Sequence, residues 1–210
     1  MAQALADLVT PAHTAVITME MQRGVCGDLA TMPVIAQAVD QHRVIPATAA
    51  LLHAARHSSV VVVHCTFSLM ADRVGTPMNA PLIRMLARRP EHLLHGSAAT
   101  ELHLRLNSAP TDIFSNRHHG FSPFTGTDLH DLLSRRGVTT VVVAGVSLNL
   151  GIPGTVIEAV NLGYHVVVAS DCVVGMPDDY GAAMISNTLA LVATIASSVQ
   201  IAETWVRMAP

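Results

Sequence analysis

The sequence predicts an α/β protein, a parallel sheet with helices packed on both of its faces. Three observations predict it. Half of the 210 residues are hydrophobic, 13% are charged and 3% aromatic, so the interior is aliphatic and the charged surface small. Short apolar runs without charge recur, such as VVVV at 60–63 and VVVAG at 141–145, as in strands buried on both faces. Segments with apolar residues at helical spacing lie between them, and strands alternating with helices close into a parallel sheet through right-handed crossovers.

The elements follow in order. After a short start, 13–19 is the first strand, ending at Glu20. QRGVCGDLATMP is a Gly-rich loop. A long helix is expected over 35–57, kinked or divided by Pro46. The second strand, 60–64, ends at His64. The stretch 66–90 is long and irregular, with Gly75, Pro77 and Pro81 before an apolar piece, LIRMLARR; such a loop past a strand's carboxyl end suits a lid or an oligomer contact. A short helix is expected over 97–106 and the third strand over 111–115. Leu129, Leu132 and Leu133 mark a helix over 127–136, stopped by Gly137. The fourth strand spans 139–144, a helix 152–162 and the fifth strand 165–169. A helix over 178–197, a short strand over 199–201 and a turn carrying Trp205 complete a single domain, 1–210.

Composition excludes several partners. A net charge of −3 with no basic block argues against nucleic acid or an anionic membrane. No apolar run reaches the ~18 residues of a membrane span, and the first residues lack the form of a signal peptide. The chain has no lysine, so lysine cannot serve as base or cation here. Cys26, Cys65 and Cys172, widely spaced and odd in number, read as buried reduced thiols of a cytoplasmic protein. No dinucleotide, nucleotide-triphosphate or serine-hydrolase motif is present, and no spacing of metal ligands, so neither a cofactor nor a metal is expected.

The organising stretch is 141–155, VVVAGVSLNLGIPGT: a buried strand that breaks at Gly145 and feeds a helix. Strand ends and helix-start amides converge at such a place. The ends of the first, third and fourth strands carry Glu20, the group 117–120 and the loop 145–151. These share one crevice if the first strand lies at a switch point. Glu20 is either an acid/base or a carboxylate that caps a loop or pairs with an arginine. Gln22 is either its orienter or a loop residue. Arg117 either holds a substrate carboxylate or pairs with Glu20. His118 and His119 point to different sides, so one of them is expected to face the crevice. Phe121 and Phe124 are either pocket wall or packing.

These pieces resemble a family. TAVITMEMQ at 14–22 is similar to the TALLVIDMQ opening of isochorismatase-like (cysteine hydrolase) proteins. The stretch 122–173 is similar to that family's S-A-F-x-x-T-x-L…G-V-x-T-x-x-C-V…G-Y…V-x-x-D-A core. The resemblance implies a three-layer, Rossmann-like fold: a six-stranded parallel sheet in the order 3-2-1-4-5-6, in homodimers or homotetramers. It also implies a cis peptide at Val146–Ser147. In its amidase branch the family uses an Asp, Lys and Cys triad. Here the Asp position holds Glu20, and the Lys position falls on His118, or on Arg117 or His119 with a shift of one residue. The Cys position falls on Gly151. The family's vinyl-ether-cleaving members resemble this chain in having Gly there, and act by acid catalysis.

The resemblance therefore implies a hydrolase that acts non-covalently on a small, carboxylate-bearing molecule at an amide, ureide or vinyl-ether bond. Glu20, His118, Arg117 and His119 are the catalytic candidates. Gln22, Phe121, Phe124, Val146, Ser147, Asn149, Leu150 and Gly151 are the substrate-binding candidates. The alternative is an inactive member serving as a ligand-binding or oligomeric scaffold.

Overall fold

A computed structural model describes residues 4–89 and 91–208 of the chain. Six parallel strands form one sheet in the order β3-β2-β1-β4-β5-β6. They are β1 (Thr14–Met19), β2 (Val61–Phe67), β3 (Ile113–Arg117), β4 (Thr140–Val146), β5 (His165–Val174) and β6 (Thr194–Ala196). The helices are α1 (Leu5–Leu8), α2 (Arg23–Cys26), α3 (Pro33–Gln41), α4 (Val44–His57), α5 (Pro81–Ala87), α6 (Leu129–Arg135), α7 (Gly151–Asn161), α8 (Asp178–Asn187) and α9 (Ser198–Met208). The parallel sheet with helices on both faces is the one the sequence pattern predicts, and its strand order is the one the family resemblance implies.

Every residue of β1 is buried, and its side chains alternate between two apolar layers. Val16 joins Leu51, Leu52, Ile201 and Trp205 on the side of α4 and α9. Ala15, Ile17 and Met19 join Leu129, Leu133, Ile152 and Val156 on the side of α6 and α7. A sheet covered on both faces explains the charge-free runs.

Several boundaries differ from expectation. The predicted long helix divides at His42–Arg43, where Arg43 takes a left-handed conformation (φ 54°). Pro46 then falls in the first turn of α4, where its missing N–H costs no hydrogen bond. The stretch 97–106 forms two single 3₁₀ turns rather than a helix. The helix expected over 178–197 stops at Asn187, and the last strand is Thr194–Ala196. The expected strand at 199–201 lies in α9, whose Ile201 and Trp205 are buried one turn apart while Val199 is 59% exposed. That spacing is helical, and a three-residue stretch, Val199–Ile201, is too short to reveal it. The Asp171 carboxylate anchors the start of α9, accepting from Ser198 N–H (2.7 Å) and Oγ (2.6 Å).

Candidate active site

The carboxyl ends of β1, β3 and β4 meet around a cavity of about 180 Å³. At its floor stands Glu20. The residue follows β1 in a left-handed conformation (φ 51°), unusual for a side chain with a Cβ. Its N–H donates to Cys65 O on β2 (2.9 Å) and its carbonyl accepts from Gln22 N–H (2.8 Å). The chain turns there, so that the carboxylate lines the cavity while Gln22 bridges to Leu102 and α2 begins at Arg23.

Gln22 secures that turn. Its Nε2 donates to Phe67 O and to Thr100 O, both at 2.9 Å, and its Oε1 accepts from Phe67 N–H at 2.8 Å. Both amide protons are used and the side chain is fully buried, so Gln22 stands outside the cavity lining as a clamp between loops.

Arg117 ends β3, opposite Phe67 in register. Its guanidinium lies 5.2 Å from the Phe67 ring centroid, and the side chain is only 2% exposed. Nε donates to Gly120 O (3.4 Å) and Nη2 donates to Glu20 Oε1. Of the three basic residues in a row, this is the one that reaches the crevice. His118 turns away, with Nδ1 2.9 Å from Ser68 O and its ring edge-on to His95. His119 lies against Gly126, where an added Cβ would sit 2.5 Å from Nε2. Strand alternation and the turn at Gly120 separate the three.

The β4–α7 turn forms the third wall. Gly145 runs beside Met19, and a Cβ there would lie 2.2 Å from Met19 O. The Val146–Ser147 peptide is cis. Ser147 O accepts from Leu150 N–H (3.2 Å) and Ile152 N–H (3.0 Å), and Leu148 N–H donates to Val174 O (2.8 Å). Among the described residues, the amides of Asn149 and Gly151 donate to no protein acceptor. The Asn149 side chain is engaged elsewhere: Nδ2 donates to Met176 O (2.6 Å) and Oδ1 accepts from Met176 N–H (2.9 Å). Val146, Ser147, Asn149, Leu150, Gly151 and Phe121 all line the cavity. Phe124 does not; it lies in the opposite apolar layer, stacked on Tyr164 at 5.9 Å.

No thiol serves this cavity. Burial pushes Cys26, Cys65 and Cys172 up to about 12, so each stays a thiol near neutrality. At Gly151 an added Cβ would meet Val146 O at 2.9 Å and Met19 Cε at 3.1 Å. The space a side chain would need is filled. Among the described residues, no group of three or more His, Cys, Asp or Glu side chains is placed to hold a metal, and no helix is long and apolar enough to cross a membrane.

Sequence reasoning named neither the α5 side chains nor the polar residue that line this cavity. Leu82, Ile83 and Leu86 of α5 cover the cavity, with Met32, Ile35 and Met176 beside them. The irregular stretch 66–90, expected to serve as a lid or an oligomer contact, lines the cavity through α5. His92 also lines the cavity, and no motif singles it out.

The isochorismatase domain family matches the chain over residues 14–200. The uncharacterized isochorismatase family protein YecD of Escherichia coli O157:H7 is 46% identical over 48 residues, which are 23% of this chain and 26% of that protein. The matched segment thus spans about a quarter of that relative's length. A cysteine hydrolase from Pseudomonas syringae pv. phaseolicola 1448A shares the fold with a TM-score of 0.81 at 21% identity, over 100% of both chains. The N-carbamoylsarcosine amidase of Thermoplasma acidophilum does so with a TM-score of 0.70 at 22% identity, over 88% of this chain and 96% of that one. With the six-stranded fold and a crevice at the ends of β1, β3 and β4, the match over most of its length places this chain in the isochorismatase family.

Proposed function

We propose that the cavity is the active site of a hydrolase that cleaves an amide, ureide or vinyl-ether bond of a small molecule without a covalent intermediate. The observation that carries this reading is the Glu20–Arg117 ion pair at the cavity floor, beside a Gly151 that offers no nucleophile. Arg117 keeps its charge throughout and cannot shuttle a proton, so its part is to hold Glu20 by one oxygen. Oε2 has no protein donor among the described residues and is the oxygen left to exchange a proton with water or substrate. The open amides of Asn149 and Gly151, at the start of α7, stand where developing negative charge would be stabilised. His118, His119, Gln22 and Phe124 have no part in this proposal, because none of them lines the cavity.

Glu20→Gln, assayed on a panel of amides, ureides and enol ethers, should lower turnover at least ~100-fold, the usual contribution of a positioned acid/base. Unchanged turnover would sink the proposal. A second reading, a ligand-binding member without catalysis, has one observation in its favour: Met19 occupies the space beside Gly151. Failure of the wild-type protein to turn over any member of that panel would favour it. Assembly as a homodimer or homotetramer belongs to the same proposal. It is supported by α7, which leaves Ile157 and Val160 exposed. Light scattering that returned the mass of one chain would refute it.

A further inference from the structure

The charge balance of the cavity carries an inference about its occupant, and it rests on the reading of this cavity as the substrate site. Among the described residues, three ionisable side chains line it: Glu20, Arg117 and His92. Glu20 and Arg117 face each other as an ion pair. Burial, and then the charges of Arg89 and Arg73, push the His92 ring down to about 4, so it is neutral at neutral pH. The lining therefore has no net charge. A carboxylate entering it would stand beside Glu20 with no cation left over, and an ammonium would meet Arg117. An ammonium would lose its hydration without compensation, and a carboxylate would have only the neutral amides of Asn149 and Gly151 to set against its repulsion by Glu20. The expected carboxylate-bearing substrate fits this lining poorly, because the arginine meant to hold it is already paired. Around the pair the wall is apolar, with Ile35, Ile83, Leu86, Leu93, Phe121 and Val146.

Away from Ser147 and Asn149 of the β4–α7 turn, His92 is the polar side chain in that wall. Its Nδ1 lies 2.6 Å from Thr31 Oγ1, and Arg89 Nη1 donates to Thr31 O (2.8 Å), so the ring is held by its neighbours. Nε2 has no protein partner among the described residues and is not among the sealed, unpartnered polar atoms. A threonine hydroxyl either donates or accepts, so the neutral ring can turn a proton or a lone pair toward the cavity. A ligand that displaces water from a polar atom in an apolar wall costs desolvation unless it satisfies that atom itself. We infer that the site takes an uncharged, largely apolar small molecule and that His92 Nε2 reads its polar group, making His92 a specificity-determining residue.

The test titrates two nearly isosteric probes, benzamide and benzoate, into the purified full chain by calorimetry. Wild type should bind benzamide and discriminate against benzoate by about 100-fold, the scale of an uncompensated buried charge. His92→Phe, which keeps the ring and removes Nε2, should weaken benzamide by about 3- to 10-fold. On any amide the protein hydrolyses, it should raise KM by the same factor and leave kcat within about twofold. Glu20→Gln frees Arg117 and should reverse the preference in favour of benzoate. Leu86→Trp, which fills the cavity from the lid, should abolish benzamide binding and so locate it. Equal binding of the two probes by wild type, binding of neither, or unchanged benzamide affinity in both His92→Phe and Leu86→Trp would overturn the inference. The wild-type comparison stands without any variant. Benzamide binding with no hydrolysis of any substrate would remove the proposed reaction and support this inference. Hydrolysis confined to carboxylate-bearing substrates would support the reaction and overturn the inference.

Discussion

Gly151 shows how much one position decides. Installing a thiol there meets Val146 O and Met19 before it meets a substrate. Gly151→Cys should therefore lower stability by about 1–3 kcal/mol through overpacking, and thiol-directed reagents should leave its turnover no more sensitive than that of wild type. Gly145 is more restrictive. Its φ of 113° and a virtual Cβ 2.2 Å from Met19 O leave no room to relax, so Gly145→Ala should fail to give a cooperative thermal transition. Glu20 is bound to its partner in the same way. Removing its charge strands the buried Arg117, so Glu20→Gln should cost about 2–3 kcal/mol by denaturant unfolding, discounted because Glu20 is 22% exposed. His92 adds a pH dependence. Its folded value of about 4 lies below its ordinary 6.5. The unfolded chain then binds the extra proton first, so stability is full above pH 6.5 and is lost as pH falls toward 4. His92→Phe should flatten that part of a melting-temperature profile.

Between elements, a buried polar seam ties the outer half of the sheet to α4. Thr18 Oγ1 lies 2.7 Å from His64 Nδ1, His64 Nε2 lies 3.1 Å from Asp112 Oδ2, and Arg56 donates twice to Asp112, at 3.1 and 2.6 Å. Burial pushes the His64 value down, against the opposing pull of Asp112, so the ring is held neutral. Burial raises the Asp112 carboxyl, but Arg56, Ala109 N–H and His64 outweigh it and hold it below the carboxylate range. Both shifts lower proton uptake by the folded state. Stability from His64 is lost as pH falls from 6.5 through its folded value, and that from Asp112 as pH falls from 3.8 through its own. The ring is sealed in, so the seam belongs to the fold and not to the site. Helix α9 is a comparable tie at the other edge. Trp205 is fully buried and donates from Nε1 to Val9 O (2.8 Å), which joins α9 to the residue after α1. Trp205→Ala should cost about 3–5 kcal/mol, measured as a shift in the unfolding midpoint.

At the scale of the molecule, the legible features were those with a period or a long apolar run. Strands β1 and β4 were read to within a residue at their first positions because both faces of the sheet are covered and the runs have no charge. β6 and α9 were misread because TIA and VQI are three-residue signals, and only the partners of Ile201 and Trp205 decide between strand and helix. The site divided along the same line. Sequence placed Glu20, Arg117 and the turn 145–151 at strand ends, and strand ends in a parallel sheet open on one edge. It left the trio 117–119 unresolved, because a one-residue shift at the end of a strand reverses which side chain faces inward. It assigned Gln22 and Phe124 to the substrate and passed over His92, since nothing local distinguishes a loop clamp, a core ring and a cavity wall. The sequence by itself determined the layered α/β fold and the residues at the strand ends, for these depend on composition, period and residue identity, while the strand order and the thiol missing at Gly151 follow from the family resemblance. Only the tertiary structure decided that Arg117 neutralises Glu20, that Met19 fills the space at Gly151 and that His92 enters an apolar wall. Those are contacts between segments far apart in the chain, and local pattern carries no record of them.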